Sequence, residues 1–181
     1  MRVTRAQAEA NHATVIDVAS REFREHGFDG IGLKDVMQAA GLTAGGFYKR
    51  FESKEDLMAK AAARAIEQVA EQWRTKVEGD PSAGIDHLVD FYLSPRHRDE
   101  RAGGCPLAAL GADAFRKPPA VRDAFEAGIL THLEMLDALR GKAADTPSDE
   151  AMATLAMMVG ALSLSRMVND PELSNRLLAA A

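Results

Sequence analysis

Signals that begin and end α-helices recur along this chain, whereas signals for β-strands are nearly absent. Sustained alternation of apolar and polar residues, which marks a half-buried strand, does not occur. Pro106, Pro119 and Pro171 each stand where the first position of a helix tolerates proline. The sequence therefore predicts an all-α fold.

The first third of the chain predicts three short helices. Thr4 begins the first helix with the spacing of a capping box, and Gly27 ends it. Gly41 ends the second helix, whose apolar residues recur at helical spacing. Thr43 is suited to cap a third helix that runs to about Lys49.

A long helix and a series of later helices follow. Ser53 is suited to cap the long helix, which residues 78–81 stop, and Asp170 is suited to cap the last one. Helical patterns predict the later helices at 82–94, 106–116, 119–140, 149–169 and 171–180. The segment 94–104 predicts a mobile polar loop.

Charge is distributed unevenly along the 181 residues. The formal net charge of −5 argues against general polyanion binding. Residues 1–60 carry nine basic and nine acidic side chains, so the acidic excess lies entirely in residues 61–181. The neutral N-terminal third could therefore hold a local cationic surface, while the acidic remainder stays away from nucleic acid.

Several classes of protein are disfavoured by composition. The longest uncharged run, residues 151–165, is too short to span a membrane. Residues 1–13 lack the apolar core of a secretion signal. A single cysteine excludes an intramolecular disulfide framework. We expect a cytoplasmic protein without a membrane partner.

Two short helices joined at Gly41 suggest a helix-turn-helix, in which the second helix enters the major groove of DNA. Its first residues would face the bases, and they are Thr43, Ala44, Gly45 and Gly46. Tyr48 and Lys49 would bind phosphates at the groove edge, as would Lys54 at the start of the next helix. Phe47 and Phe51 follow helical spacing and are interpreted as core residues.

The run GFDGIGLKDVMQAAGLTAGGFYKRFESKEDL, residues 27–57, resembles the DNA-binding segment of the TetR family of bacterial transcriptional repressors. The resemblance covers about residues 5–60. It rests on Gly27-Phe28, Val36, Ala39-Ala40-Gly41-Leu42, Gly45, Phe47-Tyr48, Phe51, Ser53-Lys54-Glu55 and Leu57.

The resemblance implies an α-helical homodimer with a three-helix DNA-binding domain, residues 1–53, and a helical bundle, residues 54–181, that binds an inducer and dimerises. It places Thr43, Gly45, Tyr48, Lys49 and Lys54 in DNA-contacting positions. Two positions depart from the family pattern. Gly32 lacks the usual hydroxyl, for which Lys34 could compensate, and Gly46 lacks a side chain for base contact.

Aromatic residues in the C-terminal part are candidates for lining an inducer cavity. They are Trp73, Phe91, Tyr92, Phe115 and Phe125, although the periodicity of each suits plain core equally well. His87 and His132 could contact a polar ligand. No metal-ligand spacing of the HxxxH or CxxC type occurs, so we expect neither a metal nor a cofactor.

Residues 151–165 predict a helix that is apolar on every side and therefore buried on every side. A partner subunit would cover the second face, through Met152, Leu155, Val159 and Leu162 together with Leu173 and Leu177 of the last helix. The alternative is the central helix of a monomeric bundle.

Cys105 precedes Pro106 and is expected to cap a helix. The positive helix end, with Arg96, Arg98 and Arg101 nearby, would lower the pKa of the thiol. This predicts a switch that responds to oxidants or electrophiles. The alternative is a buried small apolar residue.

The sequence thus favours a ligand- or redox-responsive repressor that binds a palindromic operator as a homodimer, with double-stranded DNA, an inducer or electrophile, and itself as partners. A helical adaptor without DNA binding is one alternative. Another is a cysteine-dependent enzyme with His132 or His87 as base. We expect a regulator and not an enzyme.

Overall fold

A computed structural model describes residues 4–79, 84–142 and 146–181. The described residues form helices and no strand, which confirms the predicted all-α class. The α-helices are α1 (Arg5–His26), α2 (Leu33–Ala39), α3 (Lys54–Gly79), α4 (Gly84–Tyr92), α5 (Pro95–Asp99), α6 (Pro106–Ala114), α7 (Pro119–Leu139), α8 (Asp149–Met167) and α9 (Pro171–Ala179). A 3₁₀ helix, Ala44–Lys49, lies between α2 and α3.

Helix starts follow the predicted caps. The hydroxyl of Thr4 accepts from the N–H of Gln7, and Asp170 accepts from the N–H of Glu172. The capping box is only half formed, because the Gln7 side chain donates to Asn11 instead. Ser53 accepts from the N–H of Asp56 at 3.1 Å and so begins α3.

Gly41 ends α2 because the chain there needs a positive φ, which is 71°. The N–H of Leu42 donates to the carbonyl of Met37 at 2.8 Å, and the N–H of Gly41 donates to that of Gln38 at 2.9 Å. These two bonds form a Schellman motif. They fix the tight corner between α2 and the 3₁₀ helix.

The long helix α3 organises the molecule, since both α1 and α7 pack extensively against it. Apolar residues form one continuous core across residue 54, the predicted start of the second domain. Phe28, which follows α1, meets Phe125 of α7 edge to face, with ring centroids 6.5 Å apart. The N-terminal helices and the C-terminal helices therefore share packed side chains.

Two expectations about element bounds need correction, and a third lies outside the described residues. The segment 94–104 is not an unstructured loop, because Ser94 caps the short helix α5 through the N–H of His97. Helix α8 ends at Met167 rather than 169. The predicted start of a helix at 82 falls outside the described residues. No helix of the described ranges is long and apolar enough to cross a membrane.

Candidate nucleic-acid interface and C-terminal cavities

The 3₁₀ helix is fixed to α1 by its aromatic side chains. Phe47 and Phe51 are buried as predicted and stack with ring centroids 5.3 Å apart. His12 of α1 also stacks on Phe51, with ring centroids 4.5 Å apart. Tyr48 leans edge to face on Phe47 and is 75% exposed. The anchor therefore holds the helix while its outer face stays accessible.

The outer face carries most of the predicted DNA-contacting residues. Thr43, Ala44, Gly45 and Lys49 are exposed, as is Lys34 on α2. Thr43 occupies the capping position, but its side chain makes no capping hydrogen bond. A Cβ added at Gly45 would meet nothing within 4 Å. This face is open enough for the backbone to approach a ligand closely.

Gly46 differs from Gly45 because another side chain fills the space beside it. A Cβ at Gly46 would lie 2.7 Å from Nη1 of Arg50, which donates to the Gly46 carbonyl at 2.8 Å. The Nε of Arg50 is buried without a partner. Sequence reasoning missed Arg50 as a candidate, although its spacing of four residues from Gly46 could have suggested the contact.

Lys54 is the first residue of α3, but its ammonium is engaged within its own chain. Its ammonium donates to the carbonyl of Ile31 at 3.0 Å and is partly buried. It therefore ties α3 to the turn before α2, instead of standing free at the start of α3. Gly32 begins α2 without any side-chain capping bond, as expected from its missing hydroxyl.

The aromatic residues predicted to line one inducer cavity are divided among three places. Trp73, Tyr92 and His132 are buried against one another, with ring centroids of Trp73 and His132 4.5 Å apart. Nδ1 of His132 donates to the Gly128 carbonyl, and burial lowers the pKa of His132. These three side chains form core, which corrects their assignment to a cavity.

Phe115 and Phe125 contribute instead to an apolar groove of about 770 Å³ between α6, α7 and α8. Phe115 is 63% exposed, and Arg116 covers one face of its ring at 4.3 Å. The groove is also lined by Leu107, Ile129, Leu130, Leu133, Met152 and Val159. Its size suits a small ligand.

Phe91 lines a separate cleft of about 940 Å³, on the side where α1 meets α3, α4 and α5. This polar cleft is lined mainly by charged and amide side chains, among them Arg21, Arg24, Gln68, Glu71, Gln72, Lys76, Arg96 and Glu100. Sequence reasoning did not find it, because its walls come from four helices far apart in the chain.

Cys105 is the N-cap residue of α6, as predicted, but it is fully buried. Burial raises the pKa of the thiol, which corrects the predicted lowering. The N–H of Cys105 donates to Nε2 of His97 at 2.9 Å, while Nδ1 of His97 donates to the carbonyl of Tyr92 at 2.7 Å. The Tyr92 hydroxyl lies beside the thiol without the geometry of a well-formed hydrogen bond.

The three arginines expected near Cys105 are engaged elsewhere. Arg98 donates to Ser174 and Asn175 on α9, Arg101 pairs with Glu25 of α1, and Arg96 is exposed. A cation that acts on the thiol is Arg166 of α8, which donates to the carbonyls of His97 and Arg98. Among the described residues, His97 is the histidine hydrogen-bonded to Cys105.

Helix α8 presents a different face than the one predicted for dimerisation. Leu155 and Leu162 are buried inside their own chain, so they are not available to a partner. Val159 and Leu177 are half-buried, while Met152 and Leu173 are exposed. The exposed large apolar side chains of α8 are Met152, Met157, Leu164 and Met167. A helix that is apolar all round does not show from sequence alone which face its own chain covers.

A short helix that turns sharply from its predecessor, rests on an aromatic anchor and exposes its first residues defines a helix-turn-helix DNA-binding protein. The chain matches the family model for bacterial regulatory proteins of the tetR family over residues 15–61. Residues 81–181 match the tetracyclin repressor-like C-terminal domain. The chain belongs to the TetR family of transcriptional regulators.

Relatives and solved structures agree with this assignment. HTH-type transcriptional regulator AcrR of Shigella flexneri is 27% identical over 55% of this chain and 48% of its own length, so the chain spans about half of that relative. An uncharacterized HTH-type regulator of Mycobacterium tuberculosis is 30% identical over 81% of this chain and 79% of its own. A TetR regulator from Chloroflexus aurantiacus superposes with a TM-score of 0.75 at 25% identity, covering 97% and 93% of the two chains. All three are described as transcriptional regulators.

Proposed function

We propose that this chain is a repressor that binds a palindromic operator as a homodimer and leaves it when a small molecule binds. The observation that carries the proposal is the exposed face of the 3₁₀ helix on its buried Phe47–Phe51 anchor. Regulators of this family bind DNA and small molecules and typically dimerise. The acidic C-terminal part would stay away from the duplex.

Roles for individual residues follow from exposure. Tyr48 and Lys49 would hold phosphates at the edge of the major groove, with Lys34 on the neighbouring helix. Gly45, which has open space around it, would let the backbone approach the bases. Arg50 joins this set, because its guanidinium lies beside Gly46 and arginine is the side chain best suited to contact guanine.

The second copy would pack on the exposed apolar side of α8 and on α9. Met157, Leu164 and Met167 protrude there, and a Cβ at Gly160 would meet nothing within 4 Å. The two recognition helices would then have to reach successive major grooves about 34 Å apart. A ligand that favours another spacing would weaken operator binding.

An apolar inducer would occupy the groove between α6, α7 and α8. Helix α6 is well placed to transmit its arrival, because α6 also packs on α1. Lys117, which follows α6, pairs with Asp29 at 2.6 Å near the corner of the DNA-binding helices. Shifts of α6 would therefore reach the N-terminal helices through packed side chains and this ion pair.

Burial favours a structural role for Cys105 over the sensor hypothesis. A thiol without solvent access and with a raised pKa supplies little thiolate to react with oxidants or electrophiles. Sensing at Cys105 would first require α6 to move. The inducer in this proposal is therefore a ligand that binds without a covalent bond.

Selection of DNA from a random pool tests the proposal. We expect enrichment of a palindrome whose half-sites are one helical turn apart, with binding that weakens as salt rises. The variant carrying Tyr48→Ala and Lys49→Ala is the matched control and should enrich no sequence while keeping its thermal stability, since both side chains are exposed. A wild-type chain that enriches no palindrome would instead favour the helical adaptor.

A further inference from the structure

The polar cleft holds a buried arginine that has no carboxylate partner in the described part of the chain. Arg24 of α1 is 3% exposed. Its guanidinium donates to three uncharged acceptors, the carbonyls of Ser20 and Gly104 and the side-chain oxygen of Gln68. Burying a cation without an anion is costly, so a buried charge of this kind is usually paired.

The cleft around Arg24 carries more cationic than anionic side chains, although Glu100 offsets part of the effect of Arg21 on Arg24. Among the described residues, the cleft is lined by four cations, Arg21, Arg24, Lys76 and Arg96, and by two carboxylates, Glu71 and Glu100. Glu100 is 3.9 Å from Arg96, which partly neutralises both. Burial and the neighbouring Arg21 lower the pKa of Arg24 to about 10. An anion in the cleft would relieve both effects.

One wall of the cleft is aromatic. The ring of Phe91 lies parallel to that of His97, and Lys76 stands 5.0 Å from the Phe91 centroid. Both nitrogens of His97 are already engaged by backbone groups, and burial lowers its pKa, so His97 adds a flat uncharged surface. The cleft therefore offers a cationic end and an aromatic wall within one volume of ligand size.

We propose that this cleft is a binding site for a small carboxylic acid with an aromatic or apolar body. Its carboxylate would bind near Arg24 and Arg21, and its body would lie along Phe91. The site is separate from the apolar groove and lies at the junction of α1 with α3, α4 and α5. As a regulatory site it rests on the proposed repressor function, because an occupant contacting α1 and α3 together would bias the position of the DNA-binding helices.

Calorimetric titration with benzoate, in the absence of DNA, tests the proposal. Benzamide, which has the same shape without the charge, is the matched ligand, and inorganic phosphate tests an anion without the ring. We expect saturable binding of benzoate with a Kd of about 1 mM or tighter, and at least tenfold weaker binding of both others. Benzoate that fails to saturate, or that binds no better than benzamide or phosphate, overturns the proposal.

Three arginine variants test whether benzoate binds in the polar cleft. Arg21→Gln removes an exposed charge that makes no hydrogen bond among the described residues, and it should weaken benzoate roughly threefold without unfolding the chain. Arg24→Gln should weaken it by about tenfold or more. Arg74→Gln, an exposed arginine of α3 that does not line the cleft, should leave benzoate binding unchanged.

Equal binding of benzoate by wild type and Arg21→Gln overturns the proposed site even if Arg24→Gln does not fold. A chain that binds benzoate here but selects no operator contradicts only the repressor function.

Discussion

The guanidinium of Arg50 donates from Nη1 to the carbonyl of Gly46 at 2.8 Å and stands 2.7 Å from where a Cβ at position 46 would lie. The side chain of residue 50 thus occupies the volume that a side chain at residue 46 would use. The departure of Gly46 from the family pattern is therefore matched to an arginine one helical turn later.

Replacing Gly46 and Gly45 by alanine, one at a time, should separate the effect on folding stability from the effect on operator binding. Gly46→Ala displaces Arg50, which is flexible, so the free energy of unfolding should change by less than about 1 kcal/mol while operator binding changes. Gly45→Ala displaces nothing in the free protein and should raise stability by up to roughly 1 kcal/mol, yet weaken operator binding by crowding the duplex. Urea unfolding measures the stability, and fluorescence anisotropy with the selected operator measures DNA binding. Unchanged DNA binding in both variants would contradict these contacts.

Replacing Lys49 should affect DNA binding, whereas replacing Lys54 should affect the stability of the fold. Lys49 is exposed, so Lys49→Ala should leave stability unchanged and reduce the slope of log affinity against log salt by about 2, because each subunit of the proposed dimer loses one phosphate contact. Lys54 donates to the Ile31 carbonyl, so Lys54→Ala should lower the free energy of unfolding by roughly 1 kcal/mol. Binding isotherms at several salt concentrations, combined with urea unfolding, test the pair. Identical effects of the two changes would show that the Ile31 contact is not formed.

Cys105 should react slowly in the native state and make stability depend on alkaline pH. Since the pKa of the buried thiol is raised above its ordinary value of 9.0, the folded state retains the proton longer than the unfolded state. The contribution is fully present below about pH 9 and is lost as pH rises toward the folded pKa. The pKa of Tyr92 is raised in the same direction and steepens the loss.

Thiol labelling with and without urea, and unfolding between neutral and alkaline pH, measure these effects, with Cys105→Ala as the control. The variant should lose the contribution of the thiol and retain that of Tyr92. Labelling of native Cys105 as fast as in urea would support the sensor hypothesis.

Leu162 and Leu164 of α8 are two residues apart, yet replacing the first should affect folding and replacing the second should affect dimer assembly. Leu162 is 0% exposed, so Leu162→Ala should destabilise the fold by about 2–5 kcal/mol. Leu164 is 51% exposed, so Leu164→Glu should leave folding intact and convert the proposed dimer into a monomer. Light scattering after size-exclusion chromatography reports the assembly state, and urea unfolding reports stability. A Leu164→Glu chain that remains dimeric places the interface elsewhere.

Local interactions account for what could be predicted from sequence. Caps at Thr4, Ser53 and Asp170 and the corner at Gly41 involve residues only a few positions apart, so the pattern of side chains is sufficient to find them. The division of the recognition segment into buried Phe47 and exposed Tyr48 also follows from helical spacing.

Long-range packing decided the features that could not be predicted from sequence. The face of α8 that its own chain covers, the burial that raises the pKa of Cys105, and the placing of Trp73 and His132 in the core all depend on which helices meet. The polar cleft likewise exists only where α1 meets α3, α4 and α5. Helical periodicity tells which residues share a face of one helix, but the dielectric environment and partners of that face come from other parts of the chain. The sequence by itself therefore determined the helices and the DNA-binding motif, while only the tertiary structure decided which helix faces are buried and where cavities form.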